Sequence, residues 1–291
     1  MTWTTTRNPE AFETAAGEFL RGRPAGHTVL LSAASALRTI GPDAYGDDAP
    51  VYGWWRPDGG REAAAAFLWT PPRPVVLSPM PDDAAAALAD VLARERPRPA
   101  GVNGARPAAE AFAAAWQQRH GGTVRTAARH RLYRLAELTP PRPAPPGAAR
   151  PATPADRGLL LDRFAAFAAE IGGPPPRDAR ALDERIADGR CLLWEYRGRP
   201  VSLACFTRTL AGMARVAPVH TPPELRGRGF GGAVTAAVSA AARSFGAREV
   251  VLFADLANAT SNALYRRLGY RTVEDHAVLV FDAGEMVGHG M

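Results

Sequence analysis

Between a strand-like run, Met213 to Thr221, and a long Ala-rich helical run, Gly232 to Phe245, the chain carries Arg226-Gly227-Arg228-Gly229-Phe230-Gly231-Gly232. Four glycines in seven residues at a strand-to-helix junction restrict what can be built there. Glycine opens backbone conformations closed to other residues and lets a ligand approach the main chain. A helix start leaves N–H groups without intrahelical acceptors, and the macrodipole adds partial positive charge at the same end. The segment therefore has the make-up of an anion cradle suited to phosphate. Gly-rich turns also occur in ordinary loops, so the surrounding residues must decide.

Two common phosphate loops do not fit. A dinucleotide fingerprint needs Gly-x-Gly-x-x-Gly opening a βαβ unit near an acidic ribose ligand, and a P-loop needs Gly-Lys-Ser/Thr. The chain contains no lysine, so all 35 basic residues are arginine. That excludes a lysine phosphate clamp and lysine Schiff-base chemistry.

The residues beyond the loop are more specific. After a buried-looking strand, Glu249 to Ala254, comes Asn258-x-x-Ser261-x-x-Leu264-Tyr265-x-x-Leu268-Gly269-Tyr270. The spacing Arg-x-x-Gly-x-Gly, with this second segment about thirty residues further on, resembles the GNAT N-acetyltransferase superfamily. The resemblance implies a loop, Arg226, Gly227, Arg228, Gly229, Phe230, Gly231 and Gly232, that holds the pyrophosphate of an acyl-CoA. It implies that backbone N–H groups around Val219, His220 and Thr221 pair with the pantetheine and polarise the acyl carbonyl. It also implies that Asn258 bonds the pantetheine arm and that Tyr265 reaches the thiol. Tyr265 lies seven residues after Asn258, two helical turns along the same face. A phenol with a pKa near 10 can protonate a thiolate whose acid has a pKa near 8.5 only slightly uphill. Asn258 also suits a plain helix cap, and Tyr265 plain packing.

No motif marks the general base. Glu170, His220 and Glu224 all fall near the expected cleft. Glu170, closing a helix before a Gly/Pro loop, is the lead; it also fits a solvated helix end. His220 has a suitable pKa, although strand alternation could turn it away. Glu224 could simply pair with Arg226.

The organisation supports two halves. Five prolines in the eight residues from Pro140 to Gly147 remove backbone donors and favour an extended spacer. The expected domains are 1–138, a linker 139–150, and 151–291. In the second half, Thr153-Pro154-Ala155-Asp156 looks like a capped helix start, and Leu160, Phe164, Phe167 and Ile171 recur at helical steps up to Gly172-Gly173 and three prolines. A short helix from Asp178 to Asp188 and strands Cys191 to Tyr196, Pro200 to Arg208 and Met213 to Thr221 come next. Arg197-Gly198-Arg199 joins the first two strands as a hairpin. With the last strand, Arg271 to Phe281, the order is ααβββαβαβ, which matches the mixed-sheet α/β GNAT fold. The first half repeats that order: helices Pro9 to Arg21 and His27 to Ile40, strands Val51 to Trp55, Arg61 to Thr70 and Val75 to Leu77, helix Asp82 to Arg94, strand Gly101-Val102, helix Pro107 to Arg119 and strand Thr123 to Leu135. Where the cradle should be it has Ser78-Pro79-Met80-Pro81-Asp82-Asp83, whose carboxylates repel phosphate. A degenerate GNAT-like half is therefore expected.

Composition narrows the partners. Residues 1–145 hold 17 Arg against 14 acids and residues 146–291 hold 18 against 15, so the net +6 is evenly spread. No basic block points to nucleic acid. The six histidines lie far apart and never pair with cysteine at ligand spacing, so no metal is expected. Cys191 and Cys205 are expected to be buried free thiols. No apolar run reaches membrane length and no signal core opens the chain, so a cytoplasmic protein without membrane contact is expected. The expected activity is transfer of an acetyl group from acetyl-CoA, or another short acyl-CoA, to a small-molecule or peptide amine, by direct transfer in a ternary complex. A non-catalytic acyl-CoA-binding regulatory module is the alternative. Monomer and homodimer are both left open.

Overall fold

The computed structural model describes residues 2–95, 98–172 and 180–282 of the 291-residue chain. The expected Gly173 to Pro176 stretch and Asp178 lie outside the described residues. Two compact units are present: residues 1–132 with 255–257 and 273–291, and residues 133–254 with 258–272. The expected linker 139–150 falls inside the second unit, and the last strand of the chain passes from the second unit into the first after Thr272.

The first unit is built on strands β1 (Thr2–Thr6), β2 (Val51–Arg56), β3 (Ala65–Trp69), β4 (Val75–Leu77) and β5 (Gly101–Ala105). The tail of β12 (Tyr270–Asp282) lies beside β5, and β6 (Thr123–Leu135) beside β12. β12 pairs antiparallel with β5, His276 opposite Ala105 and Val280 opposite Gly101. Alternation sends successive side chains to opposite faces. Phe67, Trp69 and Val51 pack with α3 (Asp82–Leu92) and α4 (Arg106–His120) through Leu88, Leu92, Phe112 and Trp116. Tyr52, Trp54 and Leu68 pack with α1 (Pro9–Gly22) and α2 (Thr28–Thr39) through Phe12, Leu20, Leu30 and Leu37. α1 starts as its sequence dictates, with Asn8 capping the N–H groups of Glu10 and Ala11 and Pro9 in the first turn.

In the second unit the strand order is β11 (Glu249–Asp255), β10 (Met213–His220), β9 (Arg199–Phe206), β8 (Cys191–Tyr196) and β7 (Ala148–Pro151). Arg197 and Gly198, both at positive φ, close the expected β8–β9 hairpin. On one face, Leu192, Ala204, Phe206, Val216 and Leu252 pack with α7 (Phe230–Ser244) and α8 (Ala259–Arg267). On the other, Cys191, Leu193, Leu203 and Cys205 pack with α5 (Arg157–Glu170) and α6 (Arg180–Ala187). The expected Thr153 start is a capping box that opens a single 3-10 turn before α5.

Two strands differ from expectation for local reasons. β1 is a run of threonines around Trp3 with no apolar alternation to announce it, yet it pairs residue for residue with β2. Residues 148–151, expected partly as spacer, pair with β8 as β7, which gives their backbone groups partners. The segment before them is tied to the unit as well: the Trp194 indole N–H donates to the Pro146 carbonyl at 3.0 Å, and the Thr139 N–H to that of Leu268 at 3.0 Å.

Candidate active site

The parallel ladder between β10 and β11 covers Met213 to Arg215 against Glu249 to Val251. β10 continues to His220 and β11 to Asp255, so the two strands run on beyond their pairing. A bulge between Val216 and Val219 shifts the β10–β9 register, and Pro218 within it has no N–H to give. Past Arg215 the other edge of β10 has left the β11 ladder. It presents main-chain groups around Val219, His220 and Thr221 that a ligand can pair with.

The glycine loop stands immediately beyond. A 3-10 turn, Pro223–Leu225, leads into Arg226, and α7 opens on Gly229, whose φ of +83° is left-handed and which supplies no side-chain cap. A Cβ there would be strained by that φ, while meeting Pro145 only in ordinary contact at 3.4 Å. Gly227, at φ +76°, has open space around it. The first-turn N–H groups of Phe230, Gly231 and Gly232 have no intrahelical acceptors. Gly231 lies against the Thr221 hydroxyl, and Gly232 against Leu264 of α8 and Pro141. The prolines of the Pro-rich segment thus form a wall beside the loop. Only their regular half-burial, Pro141 and Pro145 among exposed neighbours, distinguishes them; composition alone reads as spacer.

Phe230 turns inward, buried and 6.0 Å from the Tyr196 ring, while Arg228 is exposed. Arg226 Nη2 donates to both carboxylate oxygens of Glu170, at 2.6 and 2.8 Å, and its Nε donates to the Thr221 carbonyl at 2.8 Å. Glu224, the alternative partner, is exposed on the 3-10 turn. His220 is only 3% exposed, and its Nε2 lies 3.5 Å from Glu170 Oε1. Burial holds the imidazole below its ordinary pKa, against the opposing pull of the Glu170 carboxylate. The expected base candidates therefore divide: Glu170 and His220 meet, and Glu224 stands apart from them.

Across the site, Asn258 caps α8, its side chain accepting from the Ser261 N–H at 2.9 Å. Tyr265, 7% exposed, sits between the rings of Tyr133 and Tyr270 at 6.3 and 6.0 Å. Burial pushes its phenol up to about 12. Full proton transfer to a thiolate whose acid has a pKa near 8.5 is then more than three powers of ten uphill. A phenol held there favours keeping its proton, as a hydrogen-bond donor, over releasing it. The hydroxyls of its neighbours are engaged, Tyr133 with Asn262 at 2.8 Å and Tyr270 with Ser239 at 2.7 Å.

The corresponding junction of the first unit is different. Ser78 is buried with its hydroxyl bonded to Pro79 and to the Ala66 N–H. α3 begins with Asp82 and Asp83 in its first turn, and Asp83 accepts from the Ala84 N–H. Carboxylates already complement that helix end. Among the described residues no helix is long and apolar enough to cross a membrane, and no cluster of three or more His, Cys, Asp or Glu could hold a metal.

Residues 160–270 match the model of the Acetyltransferase (GNAT) family. No curated protein matches the chain. Among solved structures, the chain is similar to a GCN5-related N-acetyltransferase from Sphaerobacter thermophilus, with 21% identity and a TM-score of 0.61 over 95% of this chain and 94% of that one. It is also similar to an acetyltransferase of the GNAT family from Colwellia psychrerythraea, with 10% identity and a TM-score of 0.58 over 98% and 100% of the two chains. A GCN5-related N-acetyltransferase from Kribbella flavida matches at 20% identity and a TM-score of 0.53 over 76% and 88%. Residues 160–270 form a GNAT-family domain, and the chain carries the GNAT fold along nearly its whole length.

Proposed function

We propose that this protein is an acyl-CoA-dependent N-acyltransferase. It takes acetyl-CoA, or another short acyl-CoA, and a small-molecule or peptide amine, and works by direct transfer in a ternary complex in the cytoplasm. Residues 151–291 supply most of the catalytic half and 1–138 most of a degenerate GNAT-like half, and 139–150, the expected connection, packs within the second unit. The observation that carries this is the left-handed Gly229 opening α7 where β10 has left β11. A glycine-built helix end without a capping side chain fits a diphosphate.

The work is divided among the residues. Gly227, Arg228, Gly229 and the N–H groups of Phe230, Gly231 and Gly232 receive the diphosphate, and the free edge of β10 around Val219 to Thr221 receives the pantetheine and the acyl carbonyl. Acetyl-CoA supplies an activated thioester. Tyr265 donates a hydrogen bond toward the departing sulfur. Glu170 receives the acceptor ammonium, and the neutral His220 ring beside it is placed to take up a proton. Asn258 positions the start of α8. Calorimetry with CoA tests the reading: one site per chain is expected, and no binding to the folded protein rejects it.

A further inference from the structure

Cys191 opens β8 and Cys205 lies next to the end of β9, directly opposite in the antiparallel ladder. The Cys191 carbonyl accepts from the Ala152 N–H, on the β7 side. Toward β9 the pair therefore occupies a non-hydrogen-bonded position. At such positions opposed Cα atoms lie about 4.5 Å apart and the side chains are closest, within the span of a disulfide. The two sulfur atoms are 2.7 Å apart, closer than unlinked sulfurs pack, with Cys205 Sγ donating to Cys191 Sγ. Both are free thiols and fully buried. They face α5 and α6 among Leu160, Leu182, Ile186 and Leu203, on the sheet face opposite α7. The acyl-transfer chemistry uses neither sulfur.

The two thiols differ in character. The hydrogen bond from Cys205, aided by the Arg185 and Arg190 guanidinium groups, favours the Cys191 thiolate. Burial and the neighbouring sulfur hold Cys205 well above its ordinary pKa. Thiolate character is thus favoured at Cys191 over Cys205.

We infer that Cys191 and Cys205 form a reversible cross-strand disulfide, with a small peroxide as the oxidant. The Cys191 thiolate attacks a peroxide oxygen: an S–O bond forms, the O–O bond breaks, and the leaving hydroxide takes a proton to become water. The Cys205 sulfur then attacks the Cys191 sulfenic acid. The S–S bond forms, the S–O bond breaks, and the departing hydroxide carries off the Cys205 proton as a second water. Two thiols are oxidised by two electrons, one peroxide is reduced to two waters, and a small-molecule thiol reverses the bond by exchange.

The test treats the full-length native protein with hydrogen peroxide, quenches, denatures and alkylates it, and reads intact mass. The expected product is lighter by two hydrogens, takes no alkylating reagent, stays monomeric on non-reducing gels, and returns to two alkylated cysteines after dithiothreitol. Its Tm should rise by on the order of 5–10 °C, because the bond closes a loop between residues 14 apart. Cys191→Ser and Cys205→Ser, each with one thiol, should lose both the mass change and the Tm shift. The same treatment in denaturant is the control for proximity, and native protein should form the bond at least as fast as the unfolded chain. Two alkylatable thiols after native oxidation, only intermolecular bonds, or a bond that forms only in denaturant would each overturn the assignment.

Discussion

Arg226, the first residue of the glycine loop, holds Glu170, the last residue of α5, through both carboxylate oxygens. The residue expected to meet phosphate and the residue expected to meet the amine are thus partners of each other. Both side chains are substantially exposed, 48% and 40%, so the pair is worth about 0.2–1 kcal/mol. In the proposed reading, a bound diphosphate would compete with Glu170 for the same guanidinium.

Glu170→Gln should therefore tighten CoA binding up to about fivefold by releasing Arg226, while lowering kcat/KM for the amine. Arg226→Gln should weaken CoA without a comparable loss of amine recognition. Calorimetry with CoA and initial rates over amine concentration read the two effects separately. Weaker CoA binding in Glu170→Gln would show that the carboxylate positions Arg226 for phosphate instead of competing for it.

Gly229→Asp should abolish measurable CoA binding in a protein that still folds. A left-handed φ costs a non-glycine residue about 1–2 kcal/mol, and a carboxylate at the opening of α7 repels the diphosphate. Gly227→Ala, at φ +76°, carries the same backbone strain but meets open space and adds no charge, so it should weaken binding less. Retained affinity in a folded Gly229→Asp protein, with helicity checked by circular dichroism, removes the loop from the cofactor site.

Tyr265→Phe should reduce kcat by roughly tenfold to a hundredfold and change CoA affinity little, because only a hydrogen bond to the departing sulfur is lost. A phenol held at about 12 stays protonated across the neutral range. The kcat profile should consequently show no Tyr265 limb below pH 9. Equal small changes in kcat and in CoA affinity would reduce Tyr265 to a packing residue.

Periodicity was enough for most elements because each buries one stripe. α1, α2 and α4 and the β8–β9 hairpin follow directly from apolar spacing and turn residues. β1 escaped because a threonine-rich strand gains stability from pairing with β2 and from the Trp3 indole bonded to Ala84, neither local in sequence. In the site, glycines whose φ must be positive were legible, since few other residues can take their place. The Arg226 to Glu170 pair was not, because side chains 56 positions apart meet only through the fold. The bulge at Val216 to Val219 left a faint trace, a proline inside a strand-like run.

Stability and turnover should share a dependence on pH. Burial is the leading cause that lowers the pKa of His27, His130 and His220 from the ordinary value of 6.5. The unfolded chain then binds protons at these positions before the native protein does, so stability is fully present above pH 6.5 and declines as pH falls below it. Asp156 and Asp275 are also held below their ordinary value, by the guanidinium groups of Arg150 and Arg131, and their contribution is lost only in more acidic solution. The two windows are therefore separable in urea titrations from pH 8 to pH 2. His220→Gln removes one titrating ring and should flatten the decline below pH 6.5. It should also remove the amine-dependent rate limb that lies below that pH. If both the stability slope and the rate limb survive, His220 is not the neutral buried ring that stands beside Glu170, and proton uptake at this end of the site falls to Glu170 alone.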